Sequence, residues 1–235
     1  MISNSKIYLI PTVLSEDTEF VIPAYVVDIV SNLDCFVVED LRTARRFLRK
    51  INFKKDFDRE VHFTEIAKNA KTDFKPISDK MLQGKSVGVL SEAGCAGIAD
   101  PGSDFIALAH RMGVEVHPLV GPSSILLALI ASGMTGQHFT FHGYLPIEKS
   151  DKIKKLNELQ NNAHKSGYTQ IFMETPYRNN ALIQDMLENC DGNLNLCIAT
   201  DITGKAESIR TKKLKEWKSE KPDIHKIPTV FCLNY

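Results

Sequence analysis

The sequence predicts an α/β protein of two domains, the first built on a parallel open sheet. Three observations point there: a length of 235 residues, short apolar runs alternating with segments of helical spacing, and glycine-bearing connections directly after two of those runs. A chain of this length accommodates two modest domains and buries its cores without a disulfide or a structural metal. Its 43% apolar and 25% charged residues match an average globular protein, which excludes a disordered tail, a collagen-like repeat and a coiled coil. No apolar run approaches the roughly 18 residues needed to cross a bilayer. The N-terminal residues Met1 to Lys6 show no basic region followed by an apolar stretch. The expectation is a soluble, cytoplasmic protein that engages no membrane.

Taken in order, residues 6–10 form the first apolar run of strand type. Residues 23–33 place Tyr25, Val26, Ile29, Val30 and Leu33 at helical spacing, and residues 35–38 are a second buried strand. Residues 86–90 form a strand that ends in a glycine-bearing loop, followed by a helix over 105–112, a strand over 114–119 and an apolar helix over 124–132. Further strands are expected near 139–143, 169–173, 194–199 and 229–233, with helices near 151–164 and 178–190. Strands separated by helices imply βαβ units and a largely parallel sheet, at least in the first half. The best boundary lies at Gly121-Pro122, giving domains of 1–120 and 121–235.

The formal charge is zero, with 29 basic and 29 acidic side chains, which argues against a protein that coats nucleic acid electrostatically. The charge is nevertheless blocked. Residues 41–55 carry seven basic side chains and no acid. Among them Arg42, Arg45, Arg46, Arg49 and Lys50 share one face of a helix, while Ala44, Phe47, Leu48 and Ile51 share the other. Such a face is usually only solvated; five cations with no interleaved acid favour contact with a phosphate backbone. The outward face is expected to carry no packing, so that reversing Arg45 and Arg49 would leave folding intact.

The five cysteines (Cys35, Cys95, Cys190, Cys197 and Cys232) are odd in number and none stand at Cys-x-x-Cys spacing. The histidines are scattered. Neither a disulfide framework nor a zinc site follows, and no metal is expected.

The segment Ser91-Glu92-Ala93-Gly94-Cys95-Ala96-Gly97-Ile98-Ala99-Asp100-Pro101-Gly102 follows a strand and opens a helix. Its glycines permit close backbone approach to a ligand, and ligands in open α/β sheets bind outside the carboxyl ends of strands. It is not Gly-x-Gly-x-x-Gly, and no P-loop occurs anywhere. Asp100-Pro101 alone reads as a helix cap followed by proline in the first turn. A second loop, Gly121-Pro122-Ser123-Ser124-Ile125, also joins a strand to a helix; capping by Ser123 is its plain reading, and the coincidence of two such loops makes a site. Cys95 reads as a small residue rather than a reactive thiol. Trp217, Tyr144 and Phe141 read as core, as dispersed aromatics usually are, rather than as base-stacking groups.

Together with Pro118-Leu119-Val120-Gly121-Pro122-Ser123, Gly143-Tyr144-Leu145-Pro146, Ile10-Pro11-Thr12, Glu39-Asp40-Leu41-Arg42 and Phe172-Met173-Glu174-Thr175-Pro176-Tyr177-Arg178, the Ser91–Gly102 loop resembles the tetrapyrrole methylase superfamily. Within it, the motifs are similar to the bacterial branch that 2′-O-methylates a cytidine of small-subunit ribosomal RNA. The resemblance implies a two-domain α/β fold with a parallel N-terminal sheet and a mixed C-terminal sheet. It also implies S-adenosylmethionine bound in the interdomain cleft, and a homodimer. Carried over by motif, the cofactor contacts are Pro11, Glu92, Gly94, Cys95, Ala96, Asp100, Ser124, Ile125, Met173, Ala199 and Thr200. The acceptor side comprises Arg42, Arg45, Arg49, Glu174, Arg178 and Glu207; no catalytic base is identified. Methyl transfer from a sulfonium depends on in-line placement, consistent with positioning loops and no metal.

The sequence departs from these motifs at four places. The Pro-Ile-Gly-Asn core after the first strand is absent at Val13-Leu14-Ser15-Glu16, the loop aspartate is Glu92, its Thr-Pro is Cys95-Ala96, and the histidine of Pro-His-Arg is Tyr177. A methyltransferase acting on ribosomal RNA, or on a ribosomal subunit, is the leading reading. Methylation of a tetrapyrrole or other small molecule, and a non-catalytic S-adenosylmethionine-binding paralogue, are the alternatives.

Overall fold

Strands covered by helices on both faces must be apolar without alternation, and two runs of the first half meet that condition. The computed structural model describes residues 5–67 and 71–235; residues 1–4, read above for a leader, lie outside them. The chain packs as two units, Met1–Ser123 and Ser124–Tyr235. In the first, β1 (Lys6–Ile10), α1 (Ala24–Ser31), β2 (Cys35–Val38), α2 (Leu41–Lys50), β3 (His62–Glu65), α3 (Lys75–Leu82), β4 (Val87–Leu90), α4 (Ser103–Arg111) and β5 (Glu115–Pro118) follow one another. The sheet order is β3-β2-β4-β1-β5, and every neighbouring pair is parallel. The unalternating runs are β2 and β4, each wholly buried.

Side chains of β2 divide between two layers with a period of two. Phe36 and Val38 join Ile10, Val26, Val30, Phe47 and Leu48 beneath α1 and α2. Cys35 and Val37 join Ile77, Met81, Phe105 and Ala109 beneath α3 and α4. Gly88 of β4 makes the first layer possible. A Cβ there would stand 2.5 Å from Ile10 Cδ1 and 2.8 Å from Phe36 Cδ1.

The second unit contains α5 (Ser124–Ser132), β6 (Phe139–Tyr144), α6 (Lys149–Ser166), β7 (Thr169–Met173), α7 (Asn179–Asn189), β8 (Asn195–Thr200), β9 (Ser208–Lys213), α8 (Leu214–Trp217) and β10 (Thr229–Asn234). Its sheet order is β6-β7-β10-β8-β9. The β6–β7 pair is parallel and the others antiparallel, so the sheet is mixed. Inserted between β7 and β8, β10 is buried along its whole length. Phe172, Ile198, Phe231 and Leu233 pack against Leu156, Leu182, Met186 and Trp217 of α6, α7 and α8, and α5 covers β8, β9 and β10 from the other face.

Two elements carry no apolar signature in the sequence: β3 and β9. Both strands lie at sheet edges, where half-burial suffices, and β9 reads Ser-Ile-Arg-Thr-Lys-Lys. The capping reading of Asp100 is corrected by the structure. Helix α4 starts later, at Ser103, with Gly102 before it. Asp100 instead closes its own loop: Oδ2 accepts from Gly97 N at 2.6 Å and Oδ1 from Gly102 N at 2.7 Å. Trp217 is core, donating from Nε1 to Leu196 O at 3.0 Å, whereas Tyr144, expected to be core, is 59% exposed.

Candidate functional site

Because all five strands of the first sheet run the same way, the loops after β1, β2, β4 and β5 leave from one edge. The chain moves to one side of β1 towards β2 and to the other side towards β5, which makes this edge a topological switch point. Three of the loops are knotted together. Thr12 N donates to Gly94 O at 2.9 Å, Thr12 Oγ1 to Ser91 O at 3.4 Å, and Leu119 N to Leu9 O at 3.0 Å. Cys95 Sγ donates to Pro122 O at 3.4 Å. Gly94 has φ +75°, and a Cβ on it would stand 3.1 Å from Leu14 Cδ2; a Cβ on Gly121 would overlap the Pro11 ring. These two glycines are therefore fixed by conformation and by close approach respectively.

Pro11, Gly94, Cys95, Ala96 and Asp100 are thus brought into one structure. Glu92 is exposed beside it, with its N–H directed to Glu39 Oε2 at 3.3 Å. Burial pushes the Cys95 thiol pKa up, so the group serves as a protonated donor bridging two loops rather than as a nucleophile.

The second unit gathers its own residues at one sheet edge. Val230 of β10 lies opposite both Met173 and Ala199, and Thr229 opposite Thr200, so these positions form one row across the carboxyl ends of β7 and β8. Thr169 Oγ1, at the amino end of β7, donates to Thr135 O at 2.8 Å. The chain leaving α5 therefore arrives at the amino end of β7, which sets Ser124 and Ile125 towards the opposite, carboxyl end. The Thr200 hydroxyl is engaged by Ser208 O at 3.1 Å.

Immediately beyond β7, Glu174 is buried, its side chain 0% exposed. Its Oε1 accepts from Arg178 Nε at 2.8 Å and Nη2 at 2.6 Å, and from Thr175 N at 2.7 Å. The guanidinium is held by two of its nitrogens, a charge-assisted arrangement that fixes its plane. Glu207 stands in a different loop and accepts from Thr203 N at 2.6 Å.

The basic face of α2 differs from expectation. Asp40 caps the helix, accepting from Thr43 N at 2.8 Å, so Arg42 lies in the first turn at the carboxyl edge and Arg49 about 10 Å further along. Arg45 pairs with Asp58 at 2.9 Å and lies over Phe57 and Phe63. Arg46 meets Glu16 at 3.8 Å, and Lys50 meets Asp17 at 2.9 Å and Glu19 at 3.3 Å. Arg49 stacks on Phe57, 3.9 Å from the ring centroid, and donates to Phe53 O at 2.6 Å. The expectation that this face carries no packing is overturned: its neutralising acids and its rings come from outside the helix, Glu16, Asp17 and Glu19 before it and Phe57, Asp58 and Phe63 after it. Arg42 is exposed.

The described residues contain no cluster of three metal-ligating side chains. His138 and His142 are engaged singly, one stacked on Tyr168 and the other bonded to Gln170 Oε1 at 2.8 Å. No helix is long and apolar enough to cross a membrane among the described residues. One feature carried no local sequence signal. Tyr177, in the turn after β7, stands beside His225 and Lys226, which lie 48 and 49 residues further along the chain.

The family model for Tetrapyrrole (Corrin/Porphyrin) Methylases matches residues 22–218. A protein of Vibrio cholerae serotype O1 named Ribosomal RNA small subunit methyltransferase I is 31% identical over 211 residues, covering 89% of this chain and 69% of the relative. One of the same name from Buchnera aphidicola subsp. Acyrthosiphon pisum is 28% identical over 231 residues, 97% of this chain and 78% of the relative. Among solved structures, the methyltransferase CobJ superposes with a TM-score of 0.61 at 16% identity, covering 98% of this chain and 94% of the other; the likeness is one of fold. The chain belongs to the tetrapyrrole methylase family and is an S-adenosylmethionine-dependent methyltransferase.

Proposed function

We propose that the chain methylates a ribose 2′-hydroxyl of small-subunit ribosomal RNA. The observation that carries this reading is the knot of Pro11–Thr12, Ser91–Gly102 and Gly121–Pro122 at the carboxyl edge of the first sheet, in a chain whose relatives bear small-subunit ribosomal RNA in their names; the ribose 2′-hydroxyl follows from the motif resemblance. S-adenosylmethionine supplies a methyl group already activated on a sulfonium. The loops suit such a ligand: Gly94 and Gly97, at φ +75° and +86°, turn the chain tightly at the sheet edge where ligands bind in open α/β folds. In this proposal Pro11, Gly94, Cys95, Ala96 and Asp100 hold the cofactor together with Ser124, Ile125, Met173, Ala199 and Thr200 of the second unit, and Glu92 flanks it. The family resemblance supports a position between the units.

On the acceptor side, Glu174 orients Arg178 to hold RNA, with Arg42 contributing from the first turn of α2 and Glu207 from its loop. Arg45 and Arg49 act there only through the shape of the helix they brace. The proposal extends to a homodimer working in the cytoplasm, which light scattering and cell fractionation test.

Supplying methyl-labelled S-adenosylmethionine with either naked small-subunit RNA, small subunits or a metabolite extract tests the acceptor. Label in RNA is expected; label confined to small molecules would favour the tetrapyrrole-type alternative, and cofactor binding without transfer the non-catalytic one. Gly94→Val should remove cofactor binding measured by calorimetry, because valine strains the positive φ and meets Leu14. Normal binding by that variant would refute the loop assignment.

A further inference from the structure

We propose that Tyr177, with Lys226 and His225, forms a stacking platform for an unpaired base of the RNA, a role that rests on the RNA-methylating reading above. Tyr177 is 68% exposed, although the turn that carries it is rigidly held. Lys226 N donates to Pro176 O at 3.0 Å and Arg178 N to Thr175 O at 2.8 Å. Asn179 Nδ2 donates to Ile227 O at 2.7 Å, and Ile224 N to Asn180 Oδ1 at 3.0 Å. Two segments far apart in sequence are thereby locked into one corner at the carboxyl end of β7. A large ring exposed on a fixed backbone loses little conformational freedom when it binds a flat partner.

The chemistry around the ring selects the partner. Lys226 Nζ stands 5.7 Å from the ring centroid, and the His225 ring meets it edge-on at 6.1 Å. Arg178 is the next residue, its plane fixed by Glu174. An acid is also present: Asp223, held below the usual carboxylate range by hydrogen bonds from Asn180 and from the His225 backbone, so it is ionised and already engaged. An aromatic face flanked by cations, with the nearby acid occupied, suits a base stacked on the ring and its phosphate against the cations. An apolar protein partner would have to leave these charges unpaired. Tyr144, also exposed, lies opposite Met173 at the same edge and extends the surface towards β6.

The test uses the full chain and a fluorescein-labelled, unstructured single-stranded RNA oligonucleotide, read by anisotropy. Tyr177→Ala should weaken binding about tenfold, in keeping with the loss of one stacked base, while Tyr177→Trp retains it. S-adenosylmethionine affinity, measured by calorimetry, should stay unchanged in both. An oligonucleotide with abasic positions should bind the parent and Tyr177→Ala equally. If Tyr177→Ala binds RNA within twofold of the parent while the parent methylates RNA, the platform is refuted and the proposed function stands. If the parent neither binds nor methylates RNA, both fall.

Discussion

Two cation-bearing regions of this molecule look alike in kind and differ in availability. Helix α2 has five basic side chains on one face, yet four of them are engaged: Arg45 by Asp58, Phe57 and Phe63, Arg46 by Glu16, Lys50 by Asp17 and Glu19, and Arg49 by Phe57 and Phe53 O. The corner after β7 has fewer cations, but Glu174 orients Arg178, and Lys226 borders an exposed ring. The number of basic residues in a window therefore measures poorly what a phosphate would find. What matters is which N–H groups remain unengaged and whether their carrier is held still.

The largest expected effect concerns the corner. Glu174→Ala removes a wholly buried carboxylate and leaves Arg178, 32% exposed, without its partner. Breaking a buried pair costs about 3–5 kcal/mol, and partial access of Arg178 to water puts this case near about 3 kcal/mol. Urea unfolding should show it, and Glu174→Gln should recover part of the loss. A neutral outcome would mean that the pair does not organise the corner.

Next comes the helix. Reversing Arg45 and Arg49 to glutamate removes cation–π contacts and one exposed ion pair, and should destabilise the first unit by about 2 kcal/mol. Arg42→Glu, lying where the helix leaves the sheet edge, should instead leave stability unchanged and weaken RNA binding severalfold. If the double reversal left stability untouched and flattened the salt dependence of RNA binding, the comparison drawn above would invert and α2 would be the phosphate-binding face.

How much of this was legible beforehand depended on whether the cause was local. The buried strands Cys35–Val38 and Val87–Leu90, the helix Ser124–Ser132 and the glycine-bearing loop after β4 were all readable, because continuous burial and a positive-φ turn leave marks within a few residues. The edge strands β3 and β9 were not, since half-exposure erases the apolar pattern. Asp100 offers a cap when taken alone, because an aspartate before proline has that look, and only the loop's fold shows its two oxygens turned back on Gly97 and Gly102. The partners of Arg45 and Arg49, and the meeting of Tyr177 with Lys226, are tertiary facts with no periodicity to betray them.

A smaller effect separates the units by pH. In β3, His62 is held below its ordinary pKa of 6.5 first by burial and then by the Lys80 charge, and its buried Nε2 has no hydrogen-bond partner. The folded state thus prefers the neutral ring. Its contribution is fully present above about pH 6.5 and is lost as pH falls through the lower, folded-state value. Thermal unfolding between pH 7 and pH 5 should weaken the parent more than His62→Gln; equal slopes would remove His62 from the balance. Chelation should change methyl transfer least of all, because a sulfonium methyl is already activated; activity lost to a chelator and restored by a divalent metal would overturn that expectation.

The most direct test of the central claim is where the methyl group goes. Small-subunit RNA labelled by the parent chain from methyl-labelled S-adenosylmethionine is hydrolysed in alkali, which cleaves only next to a free 2′-hydroxyl. The account predicts label in an alkali-resistant dinucleotide, and none with Gly94→Val. Label released as an ordinary mononucleotide, marking a methylated base, or no label in RNA while a small molecule is methylated, would contradict it.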